Sequence, residues 1–441
     1  MRFPAFILAL AVCASPAIGA DLKQEVRQRV AKEYPHLSRL YRHLHQNPEL
    51  SFMEKETAAR IAQELKAAGF EVTANVGGYG VVGVLRNGTG PTTMVRFDMD
   101  GLPVEEKTGL PYASRKRMKD DSGKEVFTMH ACGHDIHMTS GIGTMRVLSV
   151  LKKRWRGTLI AVAQPAEERG GGSRAMLAEG LFERFPTPDR AIALHVHPAL
   201  PSGTIGYTPG FALANVDSVD IKIFGVGGHG AYPHAAKDPI VLAAQTIVAL
   251  QTVVSREIPP IEPGVITVGS IQGGTKHNVI PGEVDLQLTV RSYKDEVRAG
   301  LLSGIRRITH GMAVAAGVPE DKMPVVKVKE AYTPATYNDP KLTMRLVGVF
   351  EDWLGKGTTI ERPPQMGGED FGRYGRTEHK VPICIYWLGA ATAETIKRGM
   401  KKGGTIPSLH SPLFAPDEEK TIKTGVTATV AAVLDLMPRR E

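Results

Sequence analysis

The sequence of 441 residues holds only three cysteines, Cys13, Cys132 and Cys384. That is too few for the disulfide framework of a small secreted domain. After the first twenty residues no stretch reads as apolar and long enough to cross a membrane. Long runs of one charge are missing too. The net charge is +8 and the pI near 9.2, yet the densest basic run (Lys152, Lys153, Arg154, Arg156) is short. With no nucleic-acid-binding motif beside it, this balance describes a solvated surface that attracts anionic ligands rather than a nucleic-acid partner. There is no Walker loop, no nucleophile-elbow serine, no internal repeat and no low-complexity linker. Gly225-Val226-Gly227-Gly228-His229-Gly230 matches a dinucleotide-binding pattern in form only, because Pro233 interrupts where a phosphate-binding helix has to begin. These absences set aside nucleotide chemistry and serine hydrolysis.

What is present is an ordinary globular composition, 42% hydrophobic and 23% charged, in a chain long enough for two compact units. Arg2, the apolar run 3–12 and the small residues of 15–20 form a signal-peptide pattern. An exported protein, periplasmic or secreted, with a leader over 1–20 is expected. Leu10-Ala11-Val12-Cys13 resembles a bacterial lipoprotein box, but Val12 is larger than the residue usual before such a cysteine, so no lipid anchor is expected. Without the leader only Cys132 and Cys384 remain. Cys384 lies in the apolar stretch 381–387 and reads as a core thiol. A free Cys132 in an oxidising compartment needs a reason, and metal coordination is a good one.

Periodicity predicts helices over 21–46 and 54–68, strands over 81–85 and 92–97, and a helix from the Cys132 stretch to about 151. The runs 158–163 and 191–196 are uniformly apolar, as in strands buried on both faces. This is an α/β pattern: a mostly parallel sheet flanked by helices. The texture changes after about 214. A strand over 218–224, a helix over 239–254, strands over 265–271 and 283–291, and a helix over 293–316 make a small α+β unit with an antiparallel sheet. Residues 21–214 and 328–441, the latter ending in a helix over 418–436, form one discontinuous catalytic domain. Residues 215–327 form an inserted lid.

The densest chemistry is in Met129-His130-Ala131-Cys132-Gly133-His134-Asp135-Ile136-His137. Thiolate and neutral imidazole are first-choice ligands for zinc and its first-row neighbours, and the glycine lets both side chains converge. Further donors follow strand ends, where ligands bind in such sheets. In Gln164-Pro165-Ala166-Glu167-Glu168 one carboxylate can ligate a metal while its neighbour acts as general base. In Leu194-His195-Val196-His197-Pro198 either histidine could ligate, being on the same side of the strand. Leu409-His410-Ser411-Pro412 offers another imidazole. Asp98 and Asp100 in Asp98-Met99-Asp100-Gly101-Leu102-Pro103 could bind metal or orient a ligand histidine.

With these residues in view, the chain resembles the metal-dependent N-acyl-amino-acid amidohydrolases, a group that includes hippurate hydrolase and the indole-acetyl-amino-acid hydrolases. Aminoacylases and carboxypeptidase G are more distant relatives. The resemblance runs from Arg42-His43-Leu44-His45-Gln46-Asn47-Pro48-Glu49-Leu50 to the His410 motif, with five motifs in the family's order. It implies a site for two divalent ions (zinc, manganese, cobalt or nickel), bridged by Cys132, with His134, Glu168, His195 and His410 as terminal ligands. It makes Glu167 the general base and Asp100 the residue that orients a ligand. It also implies that His229, on the lid, stabilises the oxyanion, sometimes from a partner subunit. Asn278, Arg291 and Glu369 fall where relatives contact substrate. His197 ranks below His195, and His130 and His137 read as structural. The expected activity is cleavage of hippurate-like N-acyl amino acids by a homodimer joined through its lid. An exported carboxypeptidase or dipeptidase acting on small peptides is the alternative.

Overall fold

The computed structural model describes residues 16–439. Most of the expected leader, residues 1–15, lies outside that range. Along the chain come α1 (Pro16–Gln46), α2 (Lys55–Ala67), β1 (Glu71–Val76), β2 (Gly80–Asn87), β3 (Thr92–Asp98), α3 (His134–Val150), β4 (Gly157–Gln164), β5 (Arg190–Pro201) and β6 (Ile205–Tyr207). A second group follows: β7 (Asn215–Phe224), α4 (Pro239–Thr252), β8 (Gly264–Gln272), β9 (Glu283–Ser292), α5 (Asp295–Ala315) and β10 (Val325–Val328). The chain closes with α6 (Pro340–Leu354), β11 (Thr359–Glu361), β12 (Ile383–Ala391) and α7 (Glu418–Leu436).

The large sheet has eight strands in the order β1-β2-β4-β3-β5-β12-β6-β11. Its centre, β4-β3-β5-β12, is parallel. β2 and β6 flank that centre antiparallel. The uniformly apolar runs follow from this: each central strand packs on both faces. Val95 and Phe97 of β3 join the core shared with α1, α3 and α7, while Met94 joins the core on the opposite face. Helix α3 lies close against β3, since a Cβ on Gly141 would stand 2.3 Å from the Phe97 ring. That contact brings the start of α3 to the carboxyl ends of the parallel strands. The predicted elements recur with shifted ends. α1 begins at Pro16 rather than 21, and β5 runs on to Pro201 because β12 pairs with it that far.

The second sheet, in the order β8-β9-β7-β10, is antiparallel throughout. β7 alternates buried and half-buried residues, as expected for a sheet covered on one face. Leu242 and Leu250 of α4 and Leu301 and Ile305 of α5 pack there on Ile221, Leu286 and Leu288. One sequence expectation is corrected. Pro239–Glu257, α4 with its continuation, is a helix of 19 residues and mean hydropathy 1.3, long and apolar enough by length and composition to cross a membrane. Much of that apolar content faces the lid's own core, although Ile240, Val241 and Val248 are exposed.

Candidate active site

Strands β3, β4 and β5 point the same way, so their carboxyl ends open one crevice. Asp98 ends β3, and Pro165-Ala166-Glu167-Glu168 follows β4 directly. His195 stands within β5, and His134 is the first residue of α3. Between Cys132 and His134 the backbone turns at Gly133, with φ +80°. A Cβ there would stand 2.5 Å from Val196 Cγ2, so only glycine fits. His410 has φ +64°, and its N–H donates to Ala131 O at 2.9 Å, tying the C-terminal loop to the Cys132 loop.

The folded chain brings Cys132, His134, Glu168, His195 and His410 together. Cys132, His134 and His195 form a triad whose donor atoms lie within 4.8 Å of one another, as do Cys132, Glu168 and His410. Cys132 belongs to both. Its Sγ is 3.5 Å from His195 Nε2, and His410 Nε2 is 3.4 Å from Glu168 Oε2. His134 Nε2 is 3.9 Å from both Glu167 and Glu168. His134 Nε2 and Glu168 Oε1 are buried without a hydrogen-bond partner. The donor set of thiol, imidazole and carboxylate is that of a zinc-type ion. These residues therefore fit a divalent metal.

The electrostatics agree. Burial, then Glu168 and Glu167, push the Cys132 thiol well above its usual value. Burial alone would lower His134, but Asp98 and Asp100 outweigh it and raise the imidazole to about 10. Burial, Glu369 and Glu168 raise Glu167 well above the carboxylate range. Burial holds His195 neutral, with His137 adding to the effect. Acidic groups crowded around an imidazole and a thiol are an arrangement that a cation relieves.

Asp100 is the organiser of the Glu-Glu turn. It accepts from Glu167 N–H at 3.1 Å, Glu168 N–H at 3.0 Å and Ser51 Oγ at 2.6 Å, and lies 3.2 Å from His134 Nδ1. The turn also holds Ala166 at φ +50°, its N–H bonded to Glu54 at 2.7 Å. Burial and nearby Asp100 raise the Glu54 carboxyl to about 8.

Asp98 is not free to act alone. It meets His137 Nδ1 at 2.6 Å and Arg96 Nη1 at 2.6 Å, while His137 Nε2 accepts from Val196 N–H at 2.8 Å. Both nitrogens of His137 are thus engaged, whereas His130 is buried with neither nitrogen partnered. Burial lowers His130 to about 4.

The sequence reading passed over Arg96. It is fully buried and also bonds Glu369 at 2.9 Å, Asp370 at 3.3 Å and Gln164 at 3.0 Å. A signal was there: a charge two residues before Asp98 in an otherwise apolar strand points to the same side as Asp98. Glu369, expected to contact substrate, borders the cleft but spends its carboxylate on Arg96 and Phe371 N–H.

A cleft of about 570 Å³ opens over the cluster, lined from the large domain by Glu167, Glu168 and Trp387 and from the lid by Val216, Ser218 and Arg291. Arg291 donates to Met366 O and Thr289 Oγ1 and forms no ion pair among the described residues. His197 stands at the rim, with Gln365 at 3.4 Å. His229 and Asn278 do not line this cleft. They sit together on an exposed two-stranded tip of the lid, where Gly230 N–H donates to Asn278 O at 2.8 Å.

The profile of peptidase family M20/M25/M40 matches residues 94–435. Among full-length relatives, thermostable carboxypeptidase 2 of Saccharolobus solfataricus is 33% identical, covering 92% of this chain and 97% of its own. N-acetyldiaminopimelate deacetylase of Lactobacillus acidophilus is also 33% identical, covering 91% and 98%. Among solved structures, the YXEP protein of Bacillus subtilis, a dinuclear metal-binding peptidase of the M20 family, superposes with a TM-score of 0.74. It is 29% identical and covers 92% of this chain and 99% of its own.

Proposed function

This chain belongs to peptidase family M20/M25/M40, and from that premise we propose that it cleaves the amide of hippurate-like N-acyl amino acids, releasing a carboxylate and a free amino acid. The coarser statement needs no proposal: the chain is a metal-dependent hydrolase of amide bonds. Arg291 carries the finer one. A half-buried guanidinium without an anionic partner, in the cleft above the metal-ligand cluster, suits the free carboxylate of an amino acid whose acylated nitrogen lies toward Glu167.

Two ions, bridged by Cys132 and held by His134, Glu168, His195 and His410, would supply Lewis-acid polarisation of the carbonyl and acidify water. Glu167 takes the proton from the attacking water and returns it to the departing amine. Burial and two neighbouring carboxylates raise its proton affinity, which suits both steps. Asp100 holds the Glu167 backbone and His134 in register. His229 and Asn278 act across a lid-to-lid homodimer, reaching the cleft of the second copy. Exposed Val241, Val248, Ile271 and Val279, with the free edge of β8, support that contact. The leader pattern supports an exported protein.

The test is a substrate panel on chelated, then metal-reconstituted protein. N-acyl amino acids should be turned over, free dipeptides far less, and carboxamide analogues lacking the carboxylate at least tenfold less. Preference for dipeptides or N-blocked dipeptides would replace this reading with the carboxypeptidase or dipeptidase one. Light scattering should give a dimer, and mixing Glu167→Gln with His229→Ala chains should restore part of the activity. A monomer with full activity would sink the shared site.

A further inference from the structure

Behind Glu168, on the side away from Arg291, lies a second recess of about 270 Å³. Its walls are Leu50, Met53, Leu102 and Pro103, and it shares Glu168 and Arg169 with the main cleft. The one hydroxyl at its edge, Ser51 Oγ, is turned away onto Asp100 at 2.6 Å. The recess is therefore apolar although it adjoins an acidic metal cluster. Its outer edge is an ion pair: Arg169 Nη1 meets Asp121 Oδ2 at 2.6 Å, with both side chains about half exposed. Asp121 sits on a turn that Asp120 fixes by accepting from Ser122 N–H at 2.9 Å and Lys124 N–H at 3.0 Å.

We propose that this recess receives the acyl group of the substrate, and that the enzyme prefers apolar acyl chains or rings larger than acetyl. The inference rests on the N-acyl-amino-acid reading. With the amino-acid carboxylate at Arg291 and the scissile carbonyl over Glu167 and Glu168, the acyl group extends past Glu168, where the apolar space is. Met53 and Leu102 set its depth, and the Arg169–Asp121 pair sets its mouth.

The experiment measures kcat/KM of the metal-reconstituted full chain on N-acetyl, N-butanoyl, N-hexanoyl and N-benzoyl derivatives of one amino acid. Burial of each added methylene is worth ~0.8 kcal/mol, about fourfold, so butanoyl should exceed acetyl by roughly 15-fold. Leu102→Trp and, separately, Met53→Trp fill the recess and should bring the hexanoyl-to-acetyl ratio close to one. Asp121→Ala widens the mouth and should raise the benzoyl-to-butanoyl ratio. Each ratio is taken within one preparation, so a partly unfolded fraction cancels. A flat acyl series, or ratios untouched by both tryptophans, would overturn the recess while leaving the amidohydrolase reading standing. No turnover on any N-acyl amino acid, with dipeptides cleaved, would overturn that reading and the recess with it.

Discussion

Glu167 and Glu168 are neighbours whose fates differ by direction. Glu168 Oε2 points to His410 at 3.4 Å, while Glu167 is surrounded by Glu369, Glu168 and Asp370. Glu167→Ala should therefore abolish turnover while elemental analysis still finds metal. Glu168→Ala should lose metal and activity together, and the reverse pattern would exchange their roles. The Cys132 thiol should resist alkylation in the metal-loaded protein and react once chelator has stripped it. Equal rates in both states would remove it from the site. Arg96 is a different kind of residue, a buried cation facing Asp98, Glu369 and Asp370. Arg96→Met leaves three buried carboxylates without their counter-ion. It should destabilise by about 3–5 kcal/mol, read from the urea midpoint.

At the scale of elements, the site is a set of strand ends and loops held in register. Gly133 decides whether Cys132 and His134 can face one cavity, because its positive φ and the closeness of Val196 exclude a side chain. Gly133→Ala should cost roughly 1–3 kcal/mol of stability through backbone strain. Metal affinity should fall as well, since the strain is relieved by moving the two donors. Unchanged metal titration in that variant would show that the loop tolerates the shift. His410 and Ala166 also hold positive φ without being glycine. Both lie in the loops that carry the cluster, where surrounding contacts hold them in place.

Across the whole molecule, α1 is tied to the start of α3 by a buried ion triad. His45 Nδ1 is 2.6 Å from Asp135, and its Nε2 is 3.1 Å from Glu106. Burial alone would lower His45, but the two carboxylates outweigh it and raise the imidazole to about 10. An unfolded histidine titrates near 6.5, so the folded state binds this proton more tightly. The resulting stability is complete below about pH 6.5 and is lost as pH rises through about 10. Wild-type urea midpoints should fall over that window, and His45→Gln should show a smaller fall; parallel curves would refute the triad's role. Metal binds the folded state, so chelation should lower the melting temperature and the missing ion should restore it.

The sequence by itself determined the chemistry and the kind of fold. Continuous apolar runs can be stable strands only if both faces are covered, and thiol, imidazole and carboxylate after such strands can hold a metal. These are local properties, and the spacing of residues records them. Only the tertiary structure decided which groups meet. It placed Cys132 in two triads, gave Asp98 to His137 and Arg96, and drew Glu369 from the substrate toward a buried guanidinium. It also left His229 and Asn278 on an exposed tip. Such pairings join residues up to 273 positions apart, and they depend on strand order and loop path. No local pattern carries that information, because the energy of a buried charge is set by what folding brings beside it.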